Sequence, residues 1–73
     1  MRFLADGMLG NITRWLRLLG YDVKYEKLKG DDELLNESRM EERILLTADV
    51  ELFRLARRRG VEAVLVKEHS TVD

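Results

Sequence analysis

Short apolar runs and segments with helical spacing alternate along this chain. The first run covers residues 3–5, which is too short for a helix, and it is bounded by Asp6 and Gly7. This pattern predicts a buried strand with an acidic residue at its carboxyl end. Because open α/β sheets bind ligands in the crevice beyond these strand ends, Asp6 is the first candidate site residue.

The segment after Gly7 has the spacing of an amphipathic helix. Its apolar residues follow an i, i+3, i+4, i+7 pattern and comprise Met8, Ile12, Trp15, Leu16 and Leu19, with Leu9 on the flank. Gly20 then ends the helix, because glycine readily adopts the left-handed backbone conformation found at helix C-termini. A step of 100° per residue places the opposite side of this helix at Gly10, Thr13, Arg14 and Arg17. We therefore expect Trp15 in the core and both arginines on a solvent-exposed face.

The same alternation continues to the end of the chain. Residues 21–25 alternate in polarity and predict a second strand, at an edge of the sheet. Acidic residues open a helix over residues 31–40, whose inward positions are Leu34, Leu35 and Ser38. A continuous apolar run at residues 44–46 predicts a buried third strand that ends at Thr47.

The last predicted helix has apolar positions at Leu52, Phe53, Leu55 and Ala56. Three consecutive arginines close this helix before Gly60, and residues 63–66 form a fourth strand. The last seven residues resemble a tail, and we assign His69 no role. Strands that alternate with helices predict an α/β fold of βαβ units with right-handed crossovers and a mostly parallel sheet. We predict a four-stranded sheet of order 2-1-3-4 with three helices.

Composition and charge narrow the possible functions. The 73 residues allow one domain with a marginal core, so we expect self-association into a homo-oligomer. The net charge of -1 gives no global positive field, so a nucleic acid would bind only a local basic patch. The lack of cysteine and the single histidine argue against a zinc site. No signal peptide or membrane-spanning run is present, which favours a cytoplasmic protein.

Acidic residues follow both of the predicted central strands. Asp6 ends the first strand, and Asp49 follows the third strand. In the predicted order these two strands are neighbours about 5 Å apart, and Asp31 or Asp32 reaches the same rim. Crowded carboxylates repel one another unless a cation lies between them. Their hard oxygen atoms favour Mg²⁺ or Mn²⁺ as that cation.

Each of these residues also has an explanation that needs no function. Asp6 and Asp49 precede predicted helices, where an aspartate commonly caps the helix, and on the pattern alone capping is the favoured interpretation. Asp31 and Asp32 stabilise the first turn of a helix through its dipole. The arginines of the first helix are explained by an exposed charged face. The segment GMLGN has neither a Walker lysine nor GxGxxG spacing, which argues against a bound dinucleotide.

Three stretches nevertheless carry a resemblance to a known family, namely FLADGMLGNITRWLRLLGYD, DDELL and RILLTAD. Together they resemble the N-terminal half of the Mut-seven C-terminal RNase domain, a branch of the PIN-like nuclease superfamily. This resemblance implies a Rossmann-like sheet whose acids at strand ends hold Mg²⁺ or Mn²⁺ for hydrolysis of RNA. It implies Asp6, Asp31 and Asp49 as catalytic acids, with Asp32 as a further metal ligand, and it reverses the preference for capping.

The resemblance also implies contacts with RNA. Arg14 and Arg17 would hold flanking phosphates through their guanidinium groups, and Thr47 is a further predicted contact. Family members usually continue into further helices and often a cysteine-rich zinc ribbon, so we expect residues 1–73 to be a single PIN-like domain truncated relative to the family. Two functions therefore stay open. One is a metal-dependent ribonuclease, and the other is a catalytically inactive module for binding or dimerisation.

Overall fold

The computed structural model describes residues 1–67, in which strands and helices alternate along the chain. The strands are β1 (Arg2–Asp6), β2 (Asp22–Glu26), β3 (Ile44–Thr47) and β4 (Ala63–Leu65). The helices are α1 (Gly10–Leu18), α2 (Asp31–Met40) and α3 (Val50–Arg58). His69 lies outside the described residues. In the described part of the chain, no helix has the length and apolar character needed to cross a membrane.

The four strands form one parallel sheet of order β2-β1-β3-β4. This confirms the predicted α/β fold and strand order, including the position of β2 at an edge. β1 and β3 are paired in a register that joins Phe3 to Ile44, Leu4 to Leu45 and Ala5 to Leu46. One further step along both strands sets Asp6 beside Thr47. The register therefore brings together the two polar residues that end the central strands.

Helices cover both faces of the sheet. One face packs with α2 and α3 around a buried cluster formed by Leu4, Leu34, Leu35, Leu45, Leu52, Ala56 and Val61. The other face packs with α1 around Ala5, Leu9, Val23 and Leu46. Successive side chains of a strand point to opposite faces, so β1 and β3 contribute to both clusters. Their continuous apolar runs are explained by this burial on two sides.

The buried face of α1 differs from the predicted one. Trp15 is 65% exposed and Leu19 is 71% exposed, whereas Thr13 is only 4% exposed. The expectation that Trp15 lies in the core is therefore wrong, and so is the placement of Thr13 toward solvent. Leu9, Ile12 and Leu16 pack instead against the sheet. At 100° per residue, the helix is rotated by roughly 70° from the predicted orientation.

The rotation of α1 follows from its position over the edge of the sheet. Leu9, Ile12 and Leu16 share one cluster with Val23 and Tyr25 of β2, so the helix turns toward that strand. The C-terminal half is fixed by a polar contact as well, because Arg17 donates from Nε and Nη2 to the Val23 carbonyl at 3.1 and 2.9 Å. Gly20, with a φ of 97°, then ends the segment in the left-handed conformation that was predicted.

An ion-pair network joins β2 to α2 and to the loop between α2 and β3. Lys24 pairs with Glu37 and Glu41, and Arg43 pairs with Glu41 at 2.7 Å and with Asp22 at 3.1 Å. Arg43 also donates to the Phe3 carbonyl at 3.0 Å. The Arg43 guanidinium and then the Lys24 ammonium, by hydrogen bonding, lower the pKa of Glu41 to about 2. The acids of this network are thus neutralised by cations of the chain itself.

Candidate functional site

The carboxyl ends of β1 and β3 are joined by the hydroxyl of Thr47. This hydroxyl donates to Asp6 Oδ2 at 2.9 Å and accepts from the backbone N–H of Asp49 at 3.0 Å. Thr47 is completely buried, so its hydroxyl is held on both sides without contact with solvent. The hydroxyl of Thr47, predicted from the sequence as an RNA contact, is thus occupied by Asp6 and by the Asp49 backbone.

Asp49 caps the helix that follows it. Its Oδ1 accepts from the backbone N–H of Glu51 at 2.9 Å and of Leu52 at 3.4 Å. The capping interpretation is thus confirmed for Asp49, which sits at the N-cap of α3 in an extended conformation. Within residues 1–67, Asp49 Oδ2 makes no hydrogen bond to protein. One carboxylate oxygen is therefore used in the fold while the other stays open.

Asp6 does not cap α1. The N-cap of that helix is Leu9, which makes no side-chain cap, and the Asp6 side chain turns to Thr47 instead. Only the backbone carbonyl of Asp6 takes part in the turn, accepting from the Leu9 N–H at 2.9 Å. The capping interpretation is therefore wrong for Asp6. Its carboxylate is held by the neighbouring strand.

The turn after Asp6 is tightly packed against β2. A methyl group added to Gly7 would lie 2.9 Å from the Lys27 Cα, which is closer than real contacts allow. The Tyr25 hydroxyl donates to the Gly7 carbonyl at 2.7 Å and fixes the turn from the same side. Both contacts help to position Asp6, and the sequence pattern had identified neither of them.

The acids of α2 do not join this pair. Asp32 pairs instead with Arg59 at 2.9 Å, and Asp31 is exposed in the first turn of the helix. Across residues 1–67, no three side chains of the acidic, histidine or cysteine type lie close enough together to hold a metal ion. The predicted convergence of three or four carboxylates is therefore not seen among the described residues. Among residues 1–67, the rim holds Asp6 and Asp49, which are linked through Thr47.

The chemistry of this site fits a hard divalent cation of the Mg²⁺ type. Protein sites for Mg²⁺ often use only one or two carboxylates and complete the shell with water and substrate phosphate. In the part of the chain that the structure describes, neither Asp6 nor Asp49 pairs with a lysine or arginine, in contrast to the acids beside Lys24. Their negative charge is therefore available to a cation from solution.

The predicted RNA-binding arginines lie along α1, the helix that leaves this site. Arg14 is exposed and makes no hydrogen bond or ion pair within residues 1–67. Arg17 is tied to the Val23 carbonyl through two of its nitrogens, so it is less free than the sequence suggested. Both arginines line a groove between α1 and β2 with a volume of about 520 Å³. Thr13 and Tyr25 line the same groove. The helical spacing placed Thr13 on the side of Arg14 and Arg17, whereas nothing in the sequence pointed to Tyr25.

Comparison with known proteins agrees with this fold. No curated protein matched the chain significantly. The sequence model of the family described as the Mut7-C RNAse domain, however, matches residues 1–73, which is the whole chain. The parallel sheet of order 2-1-3-4 is the one predicted from the sequence pattern, and it agrees with the Rossmann-like sheet that the resemblance implied. The chain belongs to the Mut7-C RNAse domain family.

Proposed function

We propose that this chain is a metal-dependent ribonuclease that hydrolyses phosphodiester bonds of RNA. The observation that carries the proposal is the placement of Asp6 beside Thr47 and Asp49 at the ends of the two central strands. Both carboxylates lack a cationic partner among residues 1–67. The family gives the substrate class, because its members are described as RNAse domains.

Asp6 and Asp49 would hold the metal ion, which we propose to be Mg²⁺ or Mn²⁺. When bound, such an ion orients water, neutralises the scissile phosphate and stabilises the leaving oxygen. Thr47 fixes the rotamer of Asp6 by donating to Oδ2, which leaves Oδ1 directed away from this hydrogen bond. Asp49 is fixed in turn by the cap of α3, which uses only Oδ1. Each carboxylate is thus preorganised while keeping one oxygen for the ion.

The arginines of α1 would bind the RNA backbone beside the scissile phosphate. A guanidinium group suits phosphate because its N–H groups form paired hydrogen bonds with phosphate oxygens. Arg14 has all of its N–H groups available within the described chain, whereas Arg17 offers those of Nη1. Because α1 begins at Gly10, shortly after Asp6, the strand of RNA would run from the acids onto this helix.

Cleavage of a single-stranded RNA with Mg²⁺ or Mn²⁺ tests the proposal. We expect Asp6→Asn and Asp49→Asn each to lower the rate by about 100-fold or more, since each removes a charged metal ligand. Glu51→Gln is the matched control, because it removes an acid that is exposed and lies beside Asp49. Equal rates for all three variants and the parent would contradict the proposal.

The acids of α2 have their own test in the same assay. The sequence predicts a role for Asp31 and Asp32, whereas the structure ties Asp32 to Arg59. We expect Asp31→Asn and Asp32→Asn to cleave at close to the parent rate. A loss as large as that of Asp6→Asn would mean that α2 moves toward the rim when metal and RNA bind.

The second candidate is a catalytically inactive module for binding or dimerisation. It is favoured by the limited set of metal ligands among residues 1–67 and by large apolar side chains exposed on α1 and next to it, which are Met8, Trp15, Leu18 and Leu19. Such side chains suit a protein interface, and we propose that the chain self-associates. Sedimentation of the chain at micromolar concentration tests this, and a stable monomer would contradict it. Self-association without cleavage under any metal would favour the second candidate.

A further inference from the structure

The groove between α1 and β2 has features of a ligand site beyond its two arginines. Its volume of about 520 Å³ lies within the usual range for small-ligand sites, which is about 300–1,000 Å³. Among residues 1–67, the groove lining contains no acidic residue, and its charged groups are Arg14 and Arg17. In a chain with a net charge of -1, this is a local concentration of positive charge. The groove therefore suits an anionic ligand.

A second observation at the groove concerns Thr13. This residue is 4% exposed and lines the groove, and its Oγ1 is buried without a hydrogen-bond partner in the described chain. A buried hydroxyl without a partner destabilises the fold, so such groups are usually satisfied. A polar ligand group entering the groove would supply the missing hydrogen bond. The exposed Arg14 side chain makes no hydrogen bond or ion pair within residues 1–67, so its guanidinium is available to the same ligand.

We propose that this groove seats one unpaired nucleotide of an RNA strand, with its phosphate on Arg14 and Arg17 and its ribose hydroxyl on Thr13 Oγ1. The proposal deepens the ribonuclease function and takes the identity of the ligand as RNA from it. Asn11, at the exposed rim of the groove, offers an amide that both donates and accepts, as the edge of a base requires. An unpaired nucleotide exposes this edge, whereas a base in a duplex does not, so the groove selects single-stranded RNA.

The position of the groove connects it to the acidic pair. Tyr25 forms part of the groove lining, and its hydroxyl holds the carbonyl of Gly7, the residue directly after Asp6. The same ring therefore borders the groove and supports the turn at the site. Arg17 is held to Val23 and presents a guanidinium whose position is fixed before RNA binds. The strand of RNA would place one nucleotide in the groove while the next phosphate lies toward Asp6.

Binding of a short oligouridine in the presence of EDTA tests the groove without cleavage. Trp15 does not line the groove, so fluorescence anisotropy of a labelled oligouridine reports the binding. We expect Arg14→Gln to weaken binding about tenfold and to reduce the slope of log affinity against log salt by about 0.7. Arg54→Gln is the matched control, because Arg54 is an exposed arginine on α3, across the sheet. Equal weakening by both variants would overturn the proposal.

Thr13→Val separates the hydroxyl from the charge of the groove. Valine has nearly the same shape, so this variant should bind oligouridine about fivefold more weakly and melt at the same or a higher temperature. Ser38→Ala is its control, since Ser38 Oγ is also buried without a partner in the described chain but lies on α2. The Ser38→Ala variant should bind oligouridine as tightly as the parent. Parent-like binding by Thr13→Val, or equally tight binding of duplex RNA, would overturn the proposal.

The two proposals can fail separately. If the parent binds oligouridine through Arg14 and Thr13 but never cleaves RNA, the groove is right and the ribonuclease proposal is wrong. If Asp6→Asn abolishes cleavage while Arg14→Gln and Thr13→Val bind like the parent, the ribonuclease proposal is supported and the groove proposal is wrong. A parent chain that binds no oligouridine in EDTA would also overturn the groove proposal.

Discussion

Acidic side chains are held in two different ways on the two sides of β1. Toward β2 and α2, Glu37 and Glu41 each pair with two cations of the chain. Toward β3, Asp6 and Asp49 make hydrogen bonds to a hydroxyl and to backbone N–H groups, and neither pairs with a cation within residues 1–67. Glu37 and Glu41 are therefore neutralised within the fold, whereas the charges of Asp6 and Asp49 are not neutralised by residues 1–67.

The comparison distinguishes acidic residues that stabilise the fold through ion pairs from acidic residues whose side chains are only oriented by the fold. Glu41 pairs with Lys24 of β2 and with Arg43, which in turn pairs with Asp22 of β2, so these contacts tie the loop after α2 to β2. The partners of Asp6 and Asp49 come from the ends of β3 and α3 themselves, and they fix the direction of each carboxylate. Orientation without neutralisation is what a binding site for a cation requires.

Replacing Arg43 should give the largest loss of stability. Its side chain is 9% exposed and contacts Glu41, Asp22 and the Phe3 carbonyl, so Arg43→Met removes all three interactions. We expect a loss of about 2 kcal/mol in the free energy of unfolding, measured by urea denaturation, because three hydrogen bonds of a charged group are lost while both acidic partners stay in contact with water. Arg54→Met removes an exposed arginine whose pair with Glu51 spans 4.0 Å and should cost under about 0.5 kcal/mol. Similar losses of unfolding free energy for Arg43→Met and Arg54→Met would show that the ion-pair network does not stabilise the fold.

Replacing Thr47 should cost less stability than replacing Arg43, but it should lower the rate of RNA cleavage. Thr47→Val keeps the shape and removes the hydroxyl, leaving the Asp49 N–H without its acceptor and Asp6 without its donor. We expect a loss of about 1–2 kcal/mol in unfolding free energy and a 10- to 100-fold fall in cleavage. Thr47→Ser should restore most of both, because it restores the hydroxyl. Parent-like cleavage by Thr47→Val would contradict the positioning role.

Acid should weaken the ion-pair network by a small amount. Hydrogen bonds from Arg43 and then Lys24 lower the pKa of Glu41 from 4.5 to about 2 in the folded chain. The stabilisation is therefore complete above pH 4.5 and is lost as the pH falls from there through about 2. Melting followed by circular dichroism across this range should show a smaller decline for Glu41→Gln than for the parent. Identical declines would show that Glu41 contributes nothing.

Much of the fold follows from the pattern of the sequence. The apolar runs that end at Asp6 and Thr47 identify the two central strands, and the glycines at 20 and 60 mark helix ends. The order of strands then follows, because strands buried on both faces lie in the middle of a sheet. The strands, the helix ends and the strand order depend on local composition and on burial, and the spacing of apolar residues along the chain indicates burial directly.

The parts that could not be predicted depend on tertiary contacts. The apolar residues of α1 form a stripe broad enough for two orientations, and only the packing of Leu9 and Leu16 against the sheet selects one that exposes Trp15. The distance of α2 from the rim is also set by packing, so the sequence could not show that Asp32 pairs with Arg59. The role of Thr47 becomes visible only with the register between β1 and β3.

Titration of the chain with Mn²⁺, followed by NMR, tests the central claim most directly. Paramagnetic Mn²⁺ broadens the amide signals of residues near the bound ion. We predict that broadening at low Mn²⁺ centres on Asp6 and Asp49, spares Glu37 and Glu41, is competed by Mg²⁺ and is lost in Asp6→Asn. Broadening that centres on Asp31 and the start of α2, or that persists unchanged in Asp6→Asn, would contradict a cation site at the ends of β1 and β3.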